Sequence, residues 1–161
     1  MSIVSRIRKY QSDRGFMADL RCGLIPNKKH RAYPALSRVN LNIEDNINAL
    51  IAGLYATHPK EIDKGNIGET CKTIEYLRDG GHNSDNISPT ERRFQNLLAS
   101  DSFAELSNRL IRIILMAKAQ DIAVNYERLE DDVRKFIRYG KDGVFLSWAS
   151  SFWNNKTAEE K

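Results

Sequence analysis

Residues able to perform acid–base, nucleophilic or metal chemistry are few in this sequence and form no recognised catalytic pattern. The three histidines, His30, His58 and His82, fall in predicted loops or at predicted helix ends. No HExxH, GxSxG, P-loop or GxGxxG motif occurs. We therefore predict that the protein is not an enzyme and that it requires no cofactor.

The densest group of carboxylates is the run 127–132, ERLEDD, which lies on a predicted helix. Four acids on one helix are one way to hold a divalent cation. They interleave, however, with Arg128, Arg134 and Lys135, and mixed charge of this kind is typical of a solvated helix face. We favour the solvated face and predict no metal site.

The two cysteines, Cys22 and Cys71, are far apart in the sequence and form no CxxC motif. Neither a disulfide framework nor a zinc site is predicted from this spacing. Cys71 lies on the apolar face of a predicted helix, where we expect a small core residue rather than a nucleophile.

Basic side chains are the remaining group with functional potential. The formal net charge is +4, but residues 1–38 carry nine basic and only two acidic side chains. Within that segment, residues 27–31, NKKHR, form a basic cluster in a predicted loop between helices. This cluster is either a solvated loop or a contact for phosphate, since a local surplus of positive charge attracts polyanions. A basic N-terminal segment that only aids solubility is the alternative interpretation.

A second basic position lies at a predicted helix end, where Lys141 follows Tyr139 and Gly140. A lysine there neutralises the negative end of the helix dipole or reaches a backbone phosphate. No predicted helix presents a set of Asn, Gln and Arg side chains suited to base edges. We therefore predict that any nucleic-acid contact is with the backbone, insensitive to sequence and strongly dependent on salt.

Two consecutive predicted helices in residues 88–118 position many of the other basic side chains. Ser88 with Glu91, and Ser102 with Glu105, have the spacing of capping boxes, which open helices. Apolar residues then recur at steps of three and four: Phe94, Leu97 and Leu98, followed by Phe103, Leu106, Leu110, Ile113, Ile114 and Ala117. The basic residues outside this apolar face are Arg92, Arg93, Arg109, Arg112 and Lys118.

The rest of the sequence predicts further helices and no strands. Asn42 is expected to open a long apolar helix that includes Ile43 and ends at Pro59, and Asn66 to cap the next helix. Later helices are expected over residues 126–139 and about 143–153. We predict an all-α fold of two small helical bundles, with about seven to nine helices in total.

The turn-rich segment 79–87 is the predicted boundary between an N-terminal helical domain with a basic surface, residues 1–85, and a C-terminal helical bundle, residues 86–161. Residues 154–161 are polar and expected to fray. No apolar run is long enough to span a membrane, and the N-terminus lacks the apolar core of a signal peptide. We expect a cytoplasmic protein.

Taken in order, these features resemble the CasB family, the small subunit of the type I-E CRISPR Cascade complex. The resemblance rests on Glu91-Arg92-Arg93 at the start of a helix, on the helix over 109–116, and on the turn Tyr139-Gly140-Lys141. The N-terminal half adds a helix with Arg21, a basic loop and the segment YPAL at 33–36. The similarity covers most of the chain at matching length.

The resemblance implies an all-helical, non-catalytic subunit that occurs in two copies beside the backbone subunits, which hold the guide RNA. Its implied partners are those backbone subunits, the large subunit, the crRNA-guided complex, target DNA and a second copy of itself. Its implied role is to stabilise the R-loop through contacts that do not read sequence. A helical protein–protein adaptor, whose basic residues pair with acidic partner surfaces and which has no nucleic-acid role, is the alternative.

The resemblance also implies particular contact residues. Arg21, Arg93 and Lys141 match basic positions of the family, and Arg109 and Arg112 lie in the corresponding helix. Where some relatives have an arginine, this chain has Glu44 and Asp45, which argues against DNA contact there. The predicted nucleic-acid-binding residues are Arg21, Lys28, Lys29, Arg31, Arg93, Arg109, Arg112 and Lys141.

Overall fold

The computed structural model describes residues 1–79 and 86–154, and it confirms the predicted all-α class. The described part contains nine α-helices and no strand: α1 Ile3–Ile7, α2 Arg14–Cys22, α3 Ala32–Arg38, α4 Asn46–Thr57, α5 Ile67–Asp79, α6 Pro89–Leu98, α7 Phe103–Ala119, α8 Tyr126–Tyr139 and α9 Asp142–Trp153. Two short 3₁₀ helices, Arg8–Tyr10 and Pro26–Arg31, lie between them.

The predicted capping residues begin the helices that they were expected to begin. Ser88 Oγ accepts a hydrogen bond from the Glu91 N–H at 3.0 Å, and Ser102 Oγ accepts one from the Glu105 N–H at 3.1 Å. Asn66 caps α5 in the same way. Each bond satisfies a backbone donor that has no acceptor inside its own helix. These local bonds set the start of three helices that later form the candidate site.

Two local predictions were wrong. Helix α4 begins three residues later than expected, because Asp45 rather than Asn42 caps it through a 2.9 Å bond from the Ile47 N–H. Asn42 instead accepts from the Glu44 N–H at 2.9 Å, which forms a turn before the helix. Ile43 therefore lies outside the apolar stripe and is 42% exposed. The basic segment 27–31 is a 3₁₀ helix that starts at a proline, not a loop.

Helix α4 lies at the centre of the core. Ten of its 12 residues are buried, and it is packed by α1, α2, α7 and α8. Helix α5 packs against α6, α7 and α9. The buried apolar side chains of the described residues form one contiguous cluster. Burial of this surface provides the main driving force that holds the helices together.

The predicted boundary segment 79–87 and the predicted frayed segment 154–161 lie mostly outside the described residues. The division into domains 1–85 and 86–161 therefore stays a prediction. No helix of the described part combines the length and the apolarity needed to cross a bilayer.

Two connecting segments that are distant in sequence are joined by main-chain hydrogen bonds. The Ile62 N–H donates to Val124 O at 3.1 Å, and the Val124 N–H donates to Lys60 O at 2.9 Å. Nearby, the Tyr126 hydroxyl donates to His58 O at 2.5 Å. These bonds fix the start of α8 against the end of α4 and satisfy polar groups that would otherwise be unpaired.

Candidate nucleic-acid interface

Helices α5, α6 and α7 bring three arginines to one groove, which we call the arginine groove. Arg78 comes from the last turn of α5, Arg93 from α6 and Arg112 from the middle of α7. The groove has a volume of about 340 Å³, and its apolar lining includes Leu115 and Met116. A single groove therefore combines three guanidinium groups with an apolar surface.

Amphipathic packing explains why these arginines face outward. One face of α7 is buried in the core through Leu106, Leu110, Ile113, Ile114 and Ala117, and Arg112 lies outside that face and is exposed. Arg93 is half-buried, and its Nη1 lies 3.8 Å from the sulfur of Met116. The sequence analysis named Arg93 and Arg112 as candidate contact residues but did not name Arg78. Arg78 lies on a polar helix face, and nothing in the sequence distinguishes it from the other basic residue of α5.

Among the described residues, no acidic side chain balances the positive charge of the arginine groove. No described carboxylate lies within ion-pair distance of Arg78, Arg93 or Arg112, and no described acidic residue lines the groove. Like charges that converge without counter-charges produce a local positive potential, which attracts anions from solution. The groove is thus a candidate anion site by charge as well as by shape.

The basic 3₁₀ helix carries a second group of predicted residues. Lys28 and Arg31 are exposed, and Lys29 is half-buried at a groove between α2, α4 and α7. This second groove has a volume of about 360 Å³ and a mainly apolar lining, which includes Leu24 and Phe103. No ion pair to a described acid involves any of these three basic residues. They remain a separate group from the arginine groove.

Arg21 has a structural contact of its own. Its side chain is exposed on α2, but Nη1 donates to Ala56 O at 3.1 Å. Ala56 lies in the last turn of α4, where the carbonyl oxygens accept no hydrogen bond from within the helix. The partial negative charge at this end of the helix favours a positively charged side chain nearby. Part of the hydrogen-bonding capacity of Arg21 is therefore used to hold α2 against α4.

Arg109 and Lys141 lie in a charge-balanced cluster with Asp101 and Glu105. Lys141 forms an ion pair with Asp101, whose backbone N–H donates to Glu105 Oε1 at 2.8 Å. Arg109 is 3.9 Å from the same Glu105 and also donates to Asn96 O at 3.0 Å. The hydrogen bond and the opposite charge lower the pKa of Asp101 and raise the pKa of Lys141. The positive charges of the two basic side chains are thus balanced by the negative charges of two acidic side chains.

The carboxylate run 127–132 is not wholly a solvated face, as the sequence had suggested. Asp132 is only 3% exposed, and its oxygens accept from Trp148 Nε1 at 2.8 Å and from Arg128 Nε at 3.1 Å. Among the described residues, no group of three or more His, Cys, Asp or Glu side chains is arranged to hold a metal ion. Cys71 is fully buried, as predicted.

The family described as CRISPR-associated protein Cse2 matches residues 17–153, which is most of the chain. The chain belongs to the Cse2 family. This confirms the resemblance to CasB and supports the assignment of the chain to a CRISPR Cascade complex.

Solved structures of Cse2 and CasB proteins share the fold. A Cse2-family protein from Thermus thermophilus superposes with a TM-score of 0.72 at 16% identity, over 94% of this chain and 95% of that one. CasB from M. ruber gives a TM-score of 0.67 at 22% identity, over 99% and 97% of the two chains. CasB from Thermobifida fusca gives 0.67 at 20% identity, over 93% and 94%. Among curated protein sequences, none matches this Cse2 chain.

Proposed function

We propose that this Cse2-family chain is the non-catalytic small subunit of a type I-E Cascade ribonucleoprotein, acting in the cytoplasm in antiviral defence. In this role it binds the nucleic-acid backbone without reading sequence and stabilises the R-loop, through both the displaced strand and the target strand. The observation that carries the proposal is the arginine groove, in which three converging cations have no described acidic partner.

The charge distribution supports a backbone contact rather than base readout. Arg112, Lys28 and Arg31 are exposed and make no ion pair with a described residue. Such side chains neutralise phosphates on any sequence, and the affinity then falls steeply as salt rises. In RNA-guided effectors, pairing reads the sequence, while strand exchange is nearly balanced in free energy. A few additional phosphate contacts are therefore enough to favour the open R-loop.

Protein partners are part of the same proposal. The subunit lies beside the backbone subunits and the large subunit, and it packs against a second copy of itself. Large apolar side chains that are exposed at the end of α8 and the start of α9 are candidates for such contacts: Ile137, Tyr139 and Leu146, exposed by 53%, 75% and 69%. Exposed apolar surface is typical of sites at which proteins interact.

Assembly is tested first, by purifying the tagged chain from cells that carry the complete CRISPR system. We expect it to co-purify with the other Cascade subunits and with guide RNA. Purification without RNA, under conditions that keep the other subunits together, would contradict the assignment to the ribonucleoprotein.

R-loop stabilisation is tested with assembled complexes that contain either the wild-type chain or the Arg112→Glu variant. We expect the variant to release target DNA faster, with a difference that shrinks as salt increases, since screening weakens the contact in both complexes. Lys118→Glu is a matched control, because Lys118 is also exposed on α7 but lies outside the arginine groove. If target DNA stays bound equally long to complexes with the wild-type chain and with Arg112→Glu at low salt, the groove does not contribute to R-loop stabilisation.

A further inference from the structure

The second groove, between α2, α4 and α7, differs from the arginine groove in the chemistry of its walls. Its apolar lining is formed mainly by Leu24, Leu50, Phe103 and Ile111. Of the described residues that line it, only Lys29 is charged. A site for a nucleic-acid backbone needs one cation for each phosphate that it neutralises. A single lysine above an apolar surface therefore indicates a different class of ligand.

A hydroxyl group without a partner lies in the wall of this groove. Ser107 lines the groove from α7, and its Oγ is buried and makes no hydrogen bond to any described residue. A serine in a helix often donates to the carbonyl group one turn earlier, but this one does not. Because a buried hydroxyl that stays unpaired costs free energy, a ligand that supplies the missing partner is favoured.

Two amide side chains from different helices also line the groove. Asn46 is the first residue of α4, and Asn108 follows Ser107 on α7. Both are exposed, and neither side chain bonds to a described residue. An asparagine amide offers one carbonyl acceptor and one NH2 donor group, which are the groups that pair with a peptide main chain. Unpaired amides beside an apolar surface thus match an extended peptide.

We propose that the second groove binds an extended peptide segment of a partner protein, in which an acidic residue stands next to an apolar one. The apolar side chain lies against Leu50 and Phe103, and the carboxylate pairs with Lys29. Ser107 and Asn108 bond to the main chain of the peptide. This inference goes beyond the proposed function, because it assigns a ligand to a groove that the R-loop contact does not require.

The charge of Lys29 is complementary to such a peptide. No described acid forms an ion pair with Lys29, and no described acidic residue lines the groove. A carboxylate that enters the groove therefore displaces no internal partner. Since Lys29 is half-buried, its charge is less screened by solvent than that of a fully exposed lysine.

The wall that carries Lys29 is fixed before any ligand binds. Leu24 packs directly on α4 at Gly53, where a Cβ atom would lie only 2.7 Å from Leu24 Cγ. In the same turn, the Leu24 N–H donates to Arg21 O at 3.0 Å and the Lys28 N–H donates to Ile25 O at 2.9 Å. A preformed groove loses little conformational entropy on binding, which favours a short peptide as ligand.

The test begins with a phage-displayed library of random octapeptides, selected on the full wild-type chain. We expect the enriched peptides to contain Asp or Glu beside Leu, Ile, Val or Phe. A fluorescein-labelled synthetic peptide with the enriched sequence then serves as the probe in fluorescence anisotropy. Failure to enrich any sequence, or enrichment of peptides without an acidic residue, would overturn the proposal.

A bulky side chain inside the groove tests where the peptide binds. Ala104 is exposed on α7 and lines the groove, so Ala104→Trp should fill it and abolish binding of the probe. Ala99→Trp, at an exposed alanine outside the groove, is the matched control and should bind as wild type does. Thermal melting confirms that both variants remain folded. Equal affinities of the two variants would overturn the proposal.

Two further variants test the polar contacts. Lys29→Gln should weaken binding by up to about fivefold at low salt and by less at high salt, whereas Lys118→Gln, an exposed lysine of α7 outside the groove, should not. Ser107→Ala should weaken binding by about threefold to tenfold without lowering the melting temperature, because the hydroxyl has no partner in the free protein. A lower melting temperature with unchanged binding would make this hydroxyl structural and overturn its role.

Binding of a labelled DNA strand to the same variants separates this inference from the proposed function. If Ala104→Trp lost DNA binding but kept peptide binding, the groove would belong to nucleic acid, and only the inference would fail. If Arg112→Glu left R-loop lifetime unchanged while Ala104→Trp lost peptide binding, the arginine groove would have no part in R-loop stabilisation and the inference would stand.

Discussion

Trp148 donates a 2.8 Å hydrogen bond from its indole Nε1 to Oδ2 of Asp132, and both residues are almost fully buried. The other carboxylate oxygen of Asp132 accepts from Arg128 Nε at 3.1 Å. The pair joins α8 to α9 next to the aromatic stack of Phe145 on Trp148. A buried carboxylate is stable in such a place only because donors surround it.

Replacement of Asp132 by alanine should lower the free energy of unfolding by about 2 to 4 kcal/mol, because it leaves the Trp148 N–H buried without an acceptor. Urea denaturation followed by tryptophan fluorescence measures the change. Asp131→Ala is the matched control, since Asp131 is exposed and precedes Asp132 on the same helix. It should change the stability by less than about 0.5 kcal/mol. Similar losses in both variants would show that Asp132 has no special role.

Gly68 allows α5 to approach α9. A Cβ atom built at Gly68 would overlap the backbone carbonyl of Trp148, which has no freedom to move aside. We therefore expect Gly68→Ala to lower the free energy of unfolding by about 1 to 3 kcal/mol. Gly143→Ala, on the exposed side of α9 with open space around it, should stabilise the protein slightly. Thermal melting of the two variants would show opposite shifts; a neutral Gly68→Ala would contradict the close approach.

The ion pair between Lys141 and Asp101 should make stability depend on pH in two windows. The lowered pKa of Asp101 means that its contribution is present above its unfolded pKa, about 3.9, and is lost as pH falls through the folded value. The raised pKa of Lys141 means that its contribution is present below its unfolded pKa, about 10.4, and is lost as pH rises through the folded value.

We accordingly expect Lys141→Gln to have a lower melting temperature than wild type between about pH 5 and 9. The melting temperatures of the two proteins should become equal at more acidic and more alkaline pH. Lys135→Gln, an exposed change on α8 that breaks no ion pair among the described residues, controls for the loss of one positive charge. A difference in melting temperature that persists well below pH 3 would have to come from something other than this pair.

The two cysteines should differ sharply in reactivity. Cys71 is fully buried, and burial raises the pKa of its thiol, whereas Cys22 is partly exposed. Native protein should therefore release one equivalent of thionitrobenzoate from Ellman's reagent quickly, and a second only after unfolding. Cys22→Ser should abolish the fast phase. Fast reaction of both thiols in the native protein would contradict the packing of α5.

Features that depend on neighbours in the sequence were predictable. The caps at Ser88, Ser102 and Asn66 act within three residues, and the apolar repeats that follow them predict which faces are buried. The start of α4 was predicted wrongly because Asn42 and Asp45 both have side chains that cap turns and helices. Local propensity does not distinguish two such residues when they stand three positions apart.

Features that depend on tertiary contacts were not predictable from these patterns. The meeting of Arg78 with Arg93 and Arg112 requires three helices to pack in one particular way. The pairing of Lys141 with Asp101 joins residues 40 positions apart, and no periodicity predicts it. The sequence therefore predicted most of the basic side chains of the candidate site. It did not show which of them form ion pairs with acidic side chains and which do not.

The main-chain bonds between the Ile62 and Val124 segments have a consequence for how the protein opens. Neither segment has a helix of its own to protect these amides, so their exchange with deuterated solvent requires the two connections to separate. Such separation would also pull α8 away from α4, which is a cooperative event rather than local fraying. The amide protons of Ile62 and Val124 should therefore exchange as slowly as those of the central helix, and they offer two probes of global opening outside any helix.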